Sequence, residues 1–216
     1  METITLAVED GIALLTLNRP EVLNSIDTQL IADMRAAEAE VAGNPDARVL
    51  LITGAGRGFC AGADLAAQGQ RQDGMSVGQG VAHGMTVGFN PMMRELYALQ
   101  KPIVAAVNGV AAGGGVGLAL TGDKLPAETA AEWGLIWKCV DDEALMGEAR
   151  AVAAKLAKGP TNPFGEIRKA IDAAGNNDFV AQLDYERDVQ GMLGDHPNFV
   201  AGVKAFLTKK DPEFTA

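Results

Sequence analysis

The sequence contains 216 residues, of which 48% are hydrophobic and 21% are charged. A chain of this length and apolar content forms one large domain or two small ones, which excludes a disordered tail, a collagen-like fibre and a charge-rich coiled coil. The formal net charge of −10 argues against a nucleic-acid-binding protein, because such proteins carry a basic face. No apolar run reaches the roughly 18 residues of a membrane span, and two cysteines make no disulfide framework, so we expect a soluble, cytoplasmic protein.

The first predicted elements are two strands that pair as a hairpin. Residues Thr3–Val8 and Ile12–Leu17 are β-like runs, and Asp10-Gly11 between them is a signal for a two-residue turn. Asp27 then caps a predicted helix that extends to about Val41, since the apolar residues of this stretch recur with a period close to 3.6.

A buried strand and a glycine-rich loop follow. The apolar run Arg48–Thr53 is typical of a strand buried on both faces, and it ends in the loop Gly54–Leu65. The polar, glycine-rich stretch Gln68–Gly88 indicates a mobile loop. A predicted helix, Asn90–Leu99, then leads into a second buried strand, Pro102–Val107.

The rest of the chain is predominantly helical by its pattern. A second glycine-rich segment, Asn108–Gly117, opens into the helical-looking Leu118–Leu120, and a short apolar strand is predicted at Leu135–Val140. The predicted helix starts are Pro126, Glu143, Pro163, Asp178 and Pro197. We therefore expect an α/β core over residues 1–142 and a helical C-terminal region over 143–216.

The two glycine-rich segments are candidate binding loops because each follows a predicted buried strand. Small residues let the backbone approach a ligand closely, and two N–H groups aimed at one point form an oxyanion hole that polarises a carbonyl group. The alternative, that the glycines only permit tight packing between strand and helix, is equally compatible with the spacing.

Other catalytic patterns are not supported. Neither glycine segment carries the third glycine of a dinucleotide-binding fingerprint, and no phosphate-binding P-loop occurs. His83 and His196 are too far apart in the sequence to define a metal site, and we expect them to be solvated or capping residues. Cys60 and Cys139 are most simply small core residues.

Four blocks of this sequence resemble the crotonase superfamily, also called the enoyl-CoA hydratase/isomerase family. They are LNRP with the following Leu23-Asn24, GAGRGFCAGADL at 54–65, KPIVAAVNGVAAGGGVGLAL at 101–120, and GVKAFLTK at 202–209. Within the superfamily, GRGFCAG, NPMMREL, NGVAAG, EWGLIWKCVDDEAL and DPEFT are most similar to the isomerases of aerobic phenylacetate breakdown. The resemblance implies a crotonase-like spiral of ββα units with a helical C-terminal region for oligomerisation.

The resemblance also implies a mechanism that the loops could support. The thioester carbonyl oxygen of an acyl-CoA would accept hydrogen bonds from the backbone N–H groups of Ala61 and Gly114, which would stabilise an enolate-like charge. The isomerases of this branch convert ring-epoxide phenylacetyl-CoA into its oxepin form. Coenzyme A is then part of the substrate, and no separate cofactor and no metal are implied.

The family positions further imply contacts to the coenzyme A arm. These contacts are Val22, Ala61, Gly62, Ala63, Asp64, Leu65, Phe206 and Lys209. Arg19 is a further predicted contact, because a local cation can attract the polyanionic coenzyme A to a protein of net charge −10. Phe206 and Lys209 match positions that contact coenzyme A bound in a neighbouring subunit, so the resemblance implies a homotrimer or a dimer of trimers. The acidic charge and the lack of a long apolar run separately predict no nucleic acid and no membrane as partner.

Gly117 departs from the pattern of the hydratases. The first of the two glutamates that manage water in those enzymes falls on Gly117, which has no side chain for acid–base chemistry. Isomerase branches also lack that residue, so the departure favours an isomerase over an enoyl-CoA hydratase.

The larger departure is a missing segment. In the family a strand, a turn with the catalytic acid and another helix follow the second glycine loop, whereas LALTGD at 118–123 here passes directly into KLPAETAAEWGL at 124–135. Two explanations are open: the polypeptide lacks the segment, or the molecule contains residues that this sequence omits. We expect the second, because loss of a core strand and helix would open a sheet edge and expose its apolar face.

A protein that truly lacks the acid suggests a rival function. Few carboxylates could replace the lost acid. Asp64 follows the first glycine-rich loop and is better explained as a helix cap, whereas Asp123 and Glu128 flank the junction and are better explained as solvated side chains. The rival hypothesis is therefore an acyl-CoA-binding pseudoenzyme or partner subunit that keeps the oxyanion loop and performs no chemistry.

Overall fold

A computed structural model describes residues 1–64, 75–112 and 125–215 of the chain. Strands β1 (Ile4–Glu9) and β2 (Ile12–Leu17) form the predicted antiparallel hairpin, in which Ile4 pairs with Leu17. Asp10 and Gly11 have φ values of 52° and 79°, as a two-residue hairpin turn requires. The prediction of the hairpin from this dipeptide is confirmed.

A four-stranded sheet extends from this hairpin in the order β1-β2-β3-β5. Strands β3 (Val49–Gly54) and β5 (Ile103–Ala105) are parallel to β2 and to β3 respectively. Every residue of β3 is buried, which confirms the prediction from its continuous apolar run. β5 is shorter than predicted and only partly buried, because it is the outermost strand of the sheet in the described part of the chain.

A second, smaller sheet contains two parallel strands, β4 (Gly58–Cys60) and β6 (Val110–Ala111). Both strands lie inside segments that the sequence predicts as loops. Their pairing brings the two glycine-rich segments together, although about fifty residues separate them along the chain.

Helices cover both faces of the larger sheet. Helix α1 (Thr28–Gly43) begins at the predicted cap, where the Asp27 side chain accepts a hydrogen bond from Leu30 N at 2.7 Å. It packs with a later helix, α3 (Asn90–Ala98), on one face of the sheet, against Leu15, Leu50 and other apolar residues. The opposite face is covered by α5 (Asp142–Ala157), whose small residues contact the alternate side chains of β2 and β3.

The prediction of a mobile loop at Gln68–Gly88 is wrong for the residues that the structure describes. Helix α2 (Val77–Gly84) continues through a π-helical turn, Met85–Phe89, into the predicted helix α3 (Asn90–Ala98). Ser76 and Gln79 form a reciprocal capping box that satisfies the amides at the start of α2. This local cap offsets part of the unfavourable helix propensity of the glycines, and residues 68–74 lie outside the described part.

The C-terminal helices begin at or within two residues of their predicted starts. They are α4 (Ala127–Glu132), α5, α6 (Thr161–Ala174), α7 (Phe179–Gly194) and α8 (Pro197–Thr208). The predicted strand at 135–140 is wrong: these residues are irregular, and no described strand runs beside them to share hydrogen bonds. None of the helices in the described ranges is long and apolar enough to span a membrane. The division at residue 142 stays a prediction.

Candidate functional site

The motif that begins at Leu17 folds into a tight turn, residues 19–25, which we call the hook. A 3-10 turn, Pro20–Val22, is followed by Leu23 and Asn24 in the left-handed region, with φ values of 52° and 55°. The Asn24 side chain is fully buried: its Oδ1 accepts from Arg19 N at 2.8 Å, and its Nδ2 donates to Gly58 O at 2.8 Å. Asparagine tolerates this conformation, so one residue both shapes the hook and attaches it to the start of β4.

The segment 61–64, which we call the oxyanion segment, lies directly against the hook and the residue after it. Three backbone hydrogen bonds join them: Ala61 N donates to Leu23 O at 2.9 Å, Ile26 N to Gly62 O at 2.7 Å, and Asp64 N to Ile26 O at 2.9 Å. Gly62, with φ at 88°, supplies the left-handed residue that bends the chain between the first bond and the second.

These bonds decide which amide of the oxyanion segment can meet a ligand. The amide of Ala61 already donates to Leu23 O, and the amide of Gly62 donates to the Cys60 thiol. No described residue accepts a hydrogen bond from Ala63 N, and Ala63 is exposed. The predicted donor at Ala61 is therefore corrected, because its N–H serves the segment's own structure.

The orientation of the Ala63 amide follows from the peptide unit to which it belongs. The carbonyl of that unit, Gly62 O, is bound to Ile26 N. In a planar trans peptide the C=O and N–H bonds point in opposite directions, so the Ala63 N–H points away from Ile26. The geometry thus presents one preoriented amide beside the end of β4.

The second glycine-rich segment begins next to the first. Ala112 N donates to Cys60 O at 2.9 Å, as a continuation of the pairing between β4 and β6. Asn108 fixes the approach to β6, since its Oδ1 accepts from Gly54 N at 3.0 Å and its Nδ2 donates to Gly56 O at 2.9 Å. The predicted second donor, Gly114, lies two residues beyond Ala112 in the sequence and outside the described residues.

Arg19, a predicted contact of coenzyme A, is engaged within the chain. Its guanidinium donates to Ser25 O at 2.5 Å and lies 3.1 Å from Asp27 Oδ2 and 3.0 Å from Asp64 Oδ2. The three side chains are at most 20% exposed. The arrangement neutralises the arginine and ties Asp64, another predicted contact, to the hook.

The remaining predicted contacts lie in several places. Val22 is exposed on the hook, next to the residue that binds Ala61, and Leu65 and Gly117 lie outside the described residues. Phe206 and Lys209 lie at the far end of α8, where Lys209 adopts a left-handed conformation that ends the helix. The hydrogen bonds of the Lys209 amide are local, to Ala205 O and Phe206 O.

The side chains set aside at the sequence level have ordinary structural roles. Burial raises the pKa of the Cys60 thiol, and the Gly62 N–H only partly offsets this, which disfavours a thiolate nucleophile. His196 caps α8 by accepting from Asn198 N at 3.1 Å, and His83 is exposed on α2. In the described ranges no group of three or more His, Cys, Asp or Glu residues is placed to hold a metal ion.

Comparisons with known proteins identify the family. The model of the enoyl-CoA hydratase/isomerase family matches residues 7–125 and 118–216. The 1,2-epoxyphenylacetyl-CoA isomerase of Escherichia coli (strain K12) is 38% identical over 263 aligned positions, which cover 100% of this chain and 99% of that protein. The (E)-benzylidenesuccinyl-CoA hydratase of Thauera aromatica is 28% identical, with 98% of each chain covered. The crystal structure of an enoyl-CoA hydratase from Polaromonas sp. JS666 has a TM-score of 0.85 at 24% identity, and covers 98% of this chain and 99% of that one.

The comparisons also locate the missing segment. The alignment with the Escherichia coli protein spans 263 positions, whereas this chain has 216 residues, so about 47 positions lie opposite a gap. The two matches to the family model overlap at residues 118–125, which places the gap there. With that internal segment absent, the chain belongs to the enoyl-CoA hydratase/isomerase family and has the crotonase fold.

Proposed function

We propose that this protein is a coenzyme A thioester isomerase that acts on 2-(1,2-epoxy-1,2-dihydrophenyl)acetyl-CoA in phenylacetate catabolism. The observation that carries the proposal is the Ala63 amide, which is preoriented, belongs to an exposed residue and has no acceptor among the described residues. The thioester carbonyl oxygen accepts a hydrogen bond from this amide and a second one from Gly114 N–H. Support for the ring-epoxide substrate comes from the full-length similarity to the Escherichia coli isomerase.

The two amides act on the charge that develops during the reaction. When a proton leaves the carbon next to the thioester, or when electrons enter from the ring, negative charge accumulates on the carbonyl oxygen. Fixed N–H dipoles stabilise that charge without reorganisation, and removal of one such donor costs about 10²–10³-fold in rate. Val22 and the oxyanion segment line the path of the coenzyme A arm, and coenzyme A is part of the substrate.

The carboxylate that moves the proton is outside the described geometry. Asp64 and Asp27 share the Arg19 guanidinium, and Asp27 also caps α1, so neither is free to act as a base. Glu128 is exposed in the first turn of α4. These assignments favour a second candidate: an acyl-CoA-binding pseudoenzyme or partner subunit, the role of a chain that keeps the oxyanion segment and lacks the acid.

The first experiment combines an intact mass with turnover. The printed sequence has a mass of 22.5 kDa. If the purified protein is several kDa heavier, the acid-bearing segment is present, and we expect conversion of the ring epoxide to the oxepin. If the mass is 22.5 kDa, we expect binding of acyl-CoA without turnover, which identifies the pseudoenzyme. Addition of water to crotonyl-CoA would instead identify an enoyl-CoA hydratase.

Two variants at one position test the role of the Ala63 amide. Ala63→Pro deletes the N–H, and we expect it to lower kcat/KM about 10²–10³-fold if the protein turns over the epoxide. Ala63→Ser is the matched control, since it changes the side chain and keeps the amide. Equal activity of the two variants would exclude Ala63 as the donor.

The C-terminal helices support a homotrimer or a dimer of trimers. The apolar residues that they expose include Ile171, Phe179, Val180, Phe206 and Leu207. Many exposed large apolar side chains on one region are characteristic of a subunit interface, where a second copy would bring Phe206 and Lys209 to a neighbouring coenzyme A site. Light scattering that returns the mass of a single chain would contradict this assembly.

A further inference from the structure

The Arg19 guanidinium connects three points of the chain, one of which is directly next to Ala63. It donates hydrogen bonds to Ser25 O within the hook and to Asp64 directly after Ala63, and it forms an ion pair with Asp27 at the start of α1. A planar guanidinium offers its donors in a fixed fork, so one arginine can hold several acceptors in a defined relative geometry. The arginine is also mostly buried, with 17% of its side chain exposed.

The oxyanion segment is consequently fixed on both sides of Ala63. On the N-terminal side, Gly62 O is bound to Ile26 N at 2.7 Å. On the C-terminal side, residue 64 is held twice, by its amide to Ile26 O at 2.9 Å and by its carboxylate to Arg19 at 3.0 Å. Loss of the ion pair with Arg19 would weaken the attachment of that side, so the direction of the Ala63 N–H would be less well defined.

The ion pair between Arg19 and Asp64 also affects the charge beside the Ala63 amide. Asp64 is adjacent to Ala63 in the chain, and its negative charge alone would oppose the negative charge that forms on a thioester oxygen at this position. The guanidinium lies 3.0 Å from that carboxylate and offsets part of its charge, since it also pairs with Asp27. Arg19 thus contributes both orientation and charge compensation.

We propose that Arg19 is a positioning residue, which binds Asp64 and Ser25 O and thereby holds the Ala63 amide in the direction of the substrate carbonyl. This inference rests on the function proposed above. It replaces the predicted direct contact of Arg19 with coenzyme A, and it assigns to Asp64 a structural task in the same device.

The test measures polarisation of the carbonyl itself. Phenylacetyl-CoA that carries ¹³C at the thioester carbonyl lacks the epoxide, so it binds without reacting, and isotope-edited infrared spectroscopy reports its C=O stretch. In the unmodified protein we expect a shift to lower wavenumber on binding. Arg19→Met and Asp64→Asn should each remove at least half of that shift, while the dissociation constant changes less than about threefold.

The matched control is Asp27→Asn. It removes the other carboxylate from the same guanidinium, and asparagine can still cap α1, so the carbonyl shift should persist. Asp64→Asn keeps Arg19 paired with Asp27, which leaves a folded variant available if Arg19→Met does not fold. The double variant Arg19→Met/Asp64→Asn separates the two contributions: restoration of the full shift would show charge compensation alone and overturn the positioning role.

Two further outcomes are distinct. A full carbonyl shift in both single variants would overturn the inference and leave the proposed function intact. Absence of any shift or binding in the unmodified protein would overturn the proposed function, and the inference with it.

Discussion

The N-terminal and C-terminal regions of the described chain place their apolar side chains in opposite ways. In residues 1–64, large side chains such as Leu15 are fully buried between the sheet and α1. In residues 161–215, α7 buries no side chain, and Phe179 and Phe206 are 78% and 84% exposed. The apolar side chains of the first region therefore lie in a core that α3 and α5 complete, whereas the second region presents apolar surface that the described chain leaves uncovered.

The difference separates two parts of the proposed function. The oxyanion segment is bonded to the hook, which is itself attached to the end of β3 and the start of β4 by Asn24. Its geometry is thus a property of a single chain. The predicted contacts at Phe206 and Lys209 depend instead on what covers α8. Binding of the acyl carbonyl should survive dissociation of an assembly better than binding of the coenzyme A arm.

Two leucine variants test this difference between the regions, and the first of them should have the largest effect on stability. Leu15→Ala removes a fully buried side chain from the N-terminal core, and we expect it to lower the free energy of unfolding by about 2–5 kcal/mol. Leu183→Ala makes the same chemical change on α7, where the side chain is 51% exposed, and should cost less than about 0.5 kcal/mol within a single chain. Urea denaturation measures both values.

Light scattering measures how each leucine variant changes the oligomeric state. If α7 belongs to a subunit interface, Leu183→Ala should weaken the assembly, while any Leu15→Ala protein that folds should keep it. Equal losses of stability in dilute, dissociated protein would show that the C-terminal helices have a core of their own.

Elements with a local cause could be predicted from the sequence. Asp10-Gly11 specifies its turn by backbone conformation, and Asp27 specifies the start of α1 by a side-chain bond three residues away. The helix at 77–84 also has a local cause, the capping box of Ser76 and Gln79, which the glycine-rich composition obscured. That signal was present in the sequence and could have identified the helix.

The sequence alone could not predict that the available amide is that of Ala63, since this depends on hydrogen bonds to residues distant in the chain. Whether Ala61 or Ala63 is available is decided by the pairing of the oxyanion segment with Leu23 and Ile26. Likewise, the ion pair between Arg19 and Asp64 joins residues 45 apart, and no spacing rule connects them. The predicted strand at 135–140 failed for the same reason, because a strand needs a partner that its own sequence does not specify.

Glu38 is a buried carboxylate within the otherwise well-packed N-terminal region. It lies on α1 and is 3% exposed, and neither carboxylate oxygen has a hydrogen-bond partner in the described residues. The charged groups around it are Arg35 on the same helix, Glu95 on α3, and Lys101, which together line a cavity of about 360 Å³. Burial, and secondarily the charge of Glu95, raises the pKa of Glu38 to about 7, although Arg35 opposes the shift.

The raised pKa gives a defined dependence of stability on pH. Between the ordinary pKa of 4.5 and about 7, the folded protein retains a proton that the unfolded chain loses. The free energy of unfolding therefore falls as the pH rises through this window, by about 3 kcal/mol in total. Glu38→Met should abolish this slope and stabilise the protein at pH 8, with little change below pH 4.5.

Glu95→Gln is the control for the Glu38 experiment. It removes the neighbouring negative charge and frees Arg35, so the slope should move to lower pH without disappearing. Denaturation curves of Glu38→Met that run parallel to those of the unmodified protein at every pH would show that Glu38 does not titrate in this window.

Asp33 has a lowered pKa, in contrast to Glu38, and its substitution should have a smaller effect on stability than those of Leu15 and Glu38. Burial by itself raises the pKa of Asp33, but hydrogen bonds from Thr3, Glu2 and Gln29 outweigh it and lower that pKa to about 2. The stabilisation is therefore complete above the ordinary pKa of 3.8 and is lost as the pH falls through about 2. Asp33→Asn should lower the free energy of unfolding at pH 7 by about 2 kcal/mol and flatten its decline in acid.

Asp184→Asn, on the exposed surface of α7, is the control. It should change neither the free energy of unfolding nor its pH dependence, because the ion pair of Asp184 with Arg187 is solvated. If both variants behave alike in urea titrations between pH 2 and 7, the hydrogen bonds of Asp33 to Glu2 and Thr3 do not contribute to the stability of the N-terminal region.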